Sequence, residues 1–123
     1  MNQKLLRALY QFWSQFGIPA YTEDSVPVEA RMPYITYSIS VPDWRQPVNT
    51  NARVWYADTS YASISAKLDE ISQVIGEGVS IKVDGGVICL FKDSNFIQYQ
   101  PYEASNDSTK VAYLSMVTLV LTD

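Results

Sequence analysis

A chain of 123 residues with 47% hydrophobic side chains has room for one core and no second, and at this length it can fold without metal or disulfide staples. Nine basic residues against thirteen acidic ones leave a net charge of −4, and no two cations are adjacent, so the electrostatic footprint of a nucleic-acid binder is missing. With no histidine and a single cysteine, Cys89, the sequence excludes a Ser-His triad, imidazole metal ligation, an intrachain disulfide and a one-chain thiolate zinc cage.

Leu5, Leu9, Phe12 and Phe16 recur at helical spacing, and Leu6 and Trp13 widen the stripe, so residues 3–16 are predicted to form an amphipathic helix. Gly17 supplies the left-handed residue past its end, Ile18 the apolar contact beyond, and Pro19 forbids continuation. This opening segment lacks the uninterrupted apolar core and small-residue cleavage site of a signal peptide. No run approaches the roughly 18 apolar residues of a membrane span, so a cytosolic protein is expected where it is made.

Residues 19–33 hold three prolines and a Glu23-Asp24-Ser25 cluster, and read as a loose link. A strand is predicted next, with Ile35, Tyr37, Ile39 and Val41 on one face and Tyr34, Thr36, Ser38 and Ser40 on the other. Pro33 and Pro42 set its length, because neither can donate to a ladder. The following "PDWRQPVNTN" reads as a hairpin tip, longer than the usual two to five residues, in which Trp44 beside Arg45 is costly to leave uncovered. The return strand is "ARVWYAD", with Val54 and Tyr56 facing away from Arg53 and Trp55.

Thr59 or Ser60 can cap a second helix over 61–76, whose apolar stripe is Tyr61, Ile64, Leu68, Ile71 and Ile75 and whose end is marked by Gly76 and Gly78. Asp69 and Glu70 point in different directions from such a helix and suit a solvated face better than acid-base chemistry. "VSIKVDGGVICLFKD" reads as a second hairpin turning on Asp84-Gly85-Gly86, without the flanking pattern of a phosphate loop. Cys89 in its apolar run is expected to be buried and inert. "NFIQYQPY" is a further short strand and "EASNDST" a polar loop.

In the last segment, "KVAYLSMVTLVLTD", Val111, Tyr113, Val117, Leu119 and Leu121 face one way and Ala112, Leu114, Met116 and Val120 the other. A strand apolar on both faces belongs inside a sheet covered on both sides. The fold class is therefore α+β, a mostly antiparallel sheet of five or six strands with two helices on one face. The second face then needs another chain, or the long loops including 19–33 folded back across it. Each side chain of Leu or Met size left uncovered forfeits on the order of 1.5–3 kcal/mol, a heavy loss for a domain stable by roughly 5–15 kcal/mol.

The order helix, strand hairpin, helix, hairpin, terminal strand resembles the tail terminator proteins of long-tailed bacteriophages. The likeness is carried by "RMPYITYSIS" after a Pro-containing link, the hairpin tip that follows, and "SYASISAKLDEISQVIGEG" as second helix, and it covers nearly the whole chain. It implies a single-domain subunit, residues 1–123, that assembles with itself into a ring, usually of six. Such a ring sits on the head-proximal end of the tail tube, halts tube polymerisation and offers a surface to a head-closure or connector protein. DNA passes through without specific binding, which an acidic chain suits. The resemblance implies no cofactor, no metal, no catalytic residue and no membrane, and a place at the tail-neck junction of the virion after assembly in the host cytoplasm.

Trp44, Arg45, Tyr34 and Trp55 are the candidate interface residues, since Trp, Tyr and Arg are the usual anchors of protein contacts. Two other classes compete. One is a different neck or head-completion component of similar fold, distinguished by whether it binds head or tail. The other is a small enzyme or ligand-binding domain, for instance a carboxylate hydrolase using Asp58 and Glu103, which requires a deep polar pocket.

Overall fold

The computed structural model describes residues 3–39, 46–100 and 108–122. Helix α1 spans Gln3–Ser14, β1 Ala20–Thr22, β2 Tyr34–Tyr37, β3 Val48–Ala57, α2 Ala62–Ile75, β4 Val79–Val83, β5 Gly86–Tyr99 and β6 Thr109–Thr122. The six strands form one sheet in the order β1-β2-β3-β6-β5-β4, antiparallel throughout except for β1, which runs parallel to β2. The chain is thus α+β, as its periodicities predict, with both helices on one face of the sheet.

That face is dictated by alternation. Ile35 and Tyr37 of β2, Ala52 and Val54 of β3, Leu114 and Met116 of β6, and Ile88 and Leu90 of β5 point toward the helices. They share one core with Leu9, Phe12 and Trp13 of α1 and with Ile64, Leu68, Ile71 and Ile75 of α2. Trp13 stacks on Tyr37 with ring centroids 6.2 Å apart, and Phe12 meets Trp13 edge-on at 5.0 Å. Within the core, the hydroxyls of Thr50 and Thr118 satisfy each other across the β3–β6 pair at 2.7 Å.

α1 stops at Ser14, two residues short of the predicted end at 16; Gly17 beyond it has the expected positive φ, 80°, and Lys67 of α2 donates to the Phe16 carbonyl, tying the two helices together. α1 lies against both edge strands, β1 and β4. A 12-residue helix is about 18 Å long, whereas six flat strands spaced about 4.8 Å apart would set their edges roughly 24 Å apart. The sheet therefore curls around its helices. Among the described residues, no helix is long and apolar enough to cross a membrane.

Several elements depart from the periodic reading. The residues before Pro33 are not all loose link: Ala20–Thr22 form the edge strand β1, too short to show a period. β2 stops at Tyr37 although Ser38 still donates its N–H to the Asn51 carbonyl. β3 begins at Val48, so Val48–Asn51 belong to a strand paired with β6 and not to a hairpin tip. "VICLFKD" and "NFIQY" are one strand, β5, in which residues 93–96 bulge between the Lys92–Met116 and Ile97–Leu114 pairs. Tyr61 lies just outside α2 and is exposed, its ring edge-on to Tyr99 at 5.1 Å and covered by the Lys110 ammonium.

Candidate interaction surface

The sheet face turned away from the helices has three zones, each set by cross-strand register. At the β1–β2–β3 end, Tyr34 sits opposite Trp55, with ring centroids 6.1 Å apart, and Tyr21 meets Tyr34 edge-on at 5.8 Å. The Trp55 indole N–H donates to the Thr36 hydroxyl at 3.0 Å, which buries Thr36 although it belongs to the outer face. On its other side Trp55 pairs with Val111, also buried and apart from the helix-side core.

A polar belt follows. The Arg53 guanidinium lies 5.1 Å from the centre of the Tyr113 ring, and its Nε donates to Gln100 Oε1 at 3.3 Å. The Ser115 hydroxyl donates to Asp93 Oδ2 at 3.1 Å, holding the β5 bulge against β6.

The third zone is an aliphatic ladder. Phe91 pairs with Val117, Cys89 with Leu119 and Val87 with Leu121. Phe91 is 38% exposed and Leu121 37%, while Val87, Cys89, Val117 and Leu119 are half-buried. These are the residues that the two-faced terminal strand leaves without helical cover. Cys89 is therefore half-buried on an outer face, not sealed in the core as its apolar neighbours suggested. The loop after β1 does not shelter this zone, because β1 lies at the other end of the sheet.

Of the four interface candidates, Tyr34 and Trp55 are brought together on the outer face, and both are half-buried. Trp44 and Arg45 lie outside the described residues. Sequence reasoning passed over Tyr21, concealed in a segment read as link, and over Val87, Cys89 and Phe91, whose strict alternation was the available signal.

Of the two carboxylates of the hydrolase alternative, Asp58 is the one among the described residues. Asp58 accepts the Ser60 N–H at 3.1 Å in the turn before α2. That bond, followed by one from the Ser63 hydroxyl, holds its carboxyl below the usual range. Glu103 lies outside the described residues. A small enclosed space bounded by Leu9, Trp13, Thr50, Leu90, Met116 and Thr118 measures about 10 Å³, room for about one water and none for a substrate. Among the described residues, no three His, Cys, Asp or Glu side chains are grouped to hold a metal ion. Compared with protein-family models, curated proteins and solved structures, the chain matches none.

Proposed function

We propose that the chain is a structural subunit of the tail terminator kind, forming a homo-oligomeric ring that caps the head-proximal end of a phage tail tube, stops its growth and receives the head-closure protein. The observation that carries an assembly role is the aliphatic ladder. Six side chains in three cross-strand pairs run along a face that, among the described residues, neither helix covers, and a protein contact is the ordinary way to remove such a stripe from water. The phage assignment draws on the resemblance of residues 31–40 and 60–78 to that family and on the α+β architecture that it implies.

In this reading binding is the whole activity. The subunit contributes surfaces, and the aromatic and aliphatic zones of the outer face are those that an assembly partner would bury. The test is to delete the gene from the phage that encodes it and inspect the particles by electron microscopy. Overlong, headless tails are expected, with normal length and joining restored by the native chain in trans. Tails of normal length joined to heads in the deletion strain would refute the proposal.

A further inference from the structure

β1 and β4 are the two edges of the sheet, and they carry opposite charge. Beside β4 the exposed cations are Lys4 and Arg7 on the neighbouring face of α1 and Lys82 on the strand itself, with one carboxylate, Asp84, bonded to Lys4 at 2.9 Å. Beside β1 the connection to β2 exposes Glu23, Asp24 and Glu29, with one cation, Arg31.

The shapes complement each other as well. Along β4 runs a groove walled by α1 and the end of α2, lined by Ala8, Gln11, Phe12, Val74, Val79 and Ile81, and its cationic end lies toward the Asp84 turn. Glu77, exposed in the turn between α2 and β4, is not among the residues lining the groove. The loop after β1 projects Val28, which is fully exposed at 103%, between Asp24 and Glu29. Three backbone bonds, Glu23 N–H to Tyr37, Ser25 N–H to Thr22 and Ala30 N–H to Pro27, each 3.0 Å, fix that loop in the single chain, so little order has to be gained on docking.

We infer that these edges are the two halves of a head-to-tail contact between copies of this chain, the acidic loop with Val28 at its tip seating in the groove beside β4 of the next copy. The occupant is a second copy because the complementary charge and the projecting apolar residue are both supplied by the chain itself. Two different patches on opposite edges make the contact heterologous, so it repeats from copy to copy and closes into a ring when the rotation per step divides the circle. The inference rests on the ring reading and names the surfaces that would build the ring.

The test uses two sets of reversed charges in the full chain. One carries R7E with K82E, leaving Lys4 and Asp84 in place, and the other E23K, D24K and E29K. All five residues are exposed. Sedimentation velocity at low ionic strength should show the native chain assembling, more weakly as salt rises toward roughly 0.5 M. Either reversed set alone should weaken assembly by at least about tenfold, because each places like charges across the contact. An equal mixture of the two should assemble again, since every groove then meets a loop of opposite sign, and that recovery also establishes that both variants are folded. The contact is overturned if a reversed set alone assembles like the native chain, if the mixture stays monomeric, or if the native chain is monomeric even near about 1 mM. Normal tails in the deletion strain would remove the tail role and leave a charge-switched assembly intact. Unaltered assembly of the reversed sets would remove this contact and leave the length-control role standing.

Discussion

The two faces of β6 provide the sharpest test of the assembly argument, because the same residue type occurs on both. Leu114 is fully buried beneath the helices, Leu119 is half-buried on the outer face, and Leu121 beside it is 37% exposed. Leu114→Ala loses the transfer free energy of the removed atoms and leaves a cavity in a core that cannot fully collapse, about 3–5 kcal/mol. At Leu121 more than a third of the side chain is already in water and no enclosed void is created, so Leu121→Ala should cost about 1 kcal/mol or less. Leu119→Ala should fall between, about 1–2 kcal/mol. At roughly 3–5 °C per kcal/mol for a chain of this size, Tm should drop by about 10–20 °C for Leu114→Ala and by no more than about 5 °C for Leu121→Ala. Urea denaturation of the dilute protein, with unchanged m values, would separate the three. If Leu119→Ala and Leu121→Ala cost as much as Leu114→Ala in the dissociated chain, the outer face is sheltered by its own polypeptide and the ladder is no argument for a partner.

Thr118→Val alone should destabilise by about 1–3 kcal/mol, because it strands the buried Thr50 hydroxyl, whereas the double change T50V with T118V should recover most of that loss in urea midpoint. Gly78 has φ 152, and an added Cβ would come 2.7 Å from the Phe91 ring, so Gly78→Ala should cost about 1–2 kcal/mol, only partly relieved by a second change, F91A. The carboxyls of Asp84, held low by the Lys4 hydrogen bond and charge, and of Asp58, held low first by the Ser60 N–H, have folded values below their unfolded ones. Their contribution is complete above about pH 4 and is lost as pH falls through the lowered folded values, so D58N with D84N should flatten the fall of Tm below about pH 4. An unchanged slope would refute the assignment.

What was legible in the sequence is what repeats locally. The α1 stripe, the Gly17 terminus and the two apolar faces of β6 each declare themselves within a few turns or pleats. The losses occur where a distant strand decides. Val48–Asn51 look like a turn because Asn and Thr favour turns, but Thr50 is held by Thr118 from a strand 68 residues away. Asp93-Ser94-Asn95 likewise looks like a break. The Asp93 carboxylate accepts from the Ser94 N–H and the Ser115 hydroxyl, and the chain continues as one bulged strand. For the outer face, alternation revealed which side chains share a side but not their neighbours, since the pairing of Tyr34 with Trp55, or of Phe91 with Val117, is a property of register. The charged edges were hidden for the same reason: Lys4 and Asp84, 80 residues apart, meet only because α1 crosses to β4.

In the proposed ring, the edge contact and the ladder make different demands. If copies join loop to groove around a common axis, all the outer faces occupy equivalent positions in the ring. The ladders then fall into register with the ring's own symmetry. A pair such as Phe91 with Val117 is a modest apolar contact in one subunit, but a partner of matching symmetry meets every copy at once, and linked weak contacts multiply. Leu119→Asp should therefore leave self-assembly in sedimentation nearly native while abolishing tube capping in the complementation assay. Loss of self-assembly in that variant, with capping retained when tubes are present, would reverse the assignment and make the ladder the contact between copies.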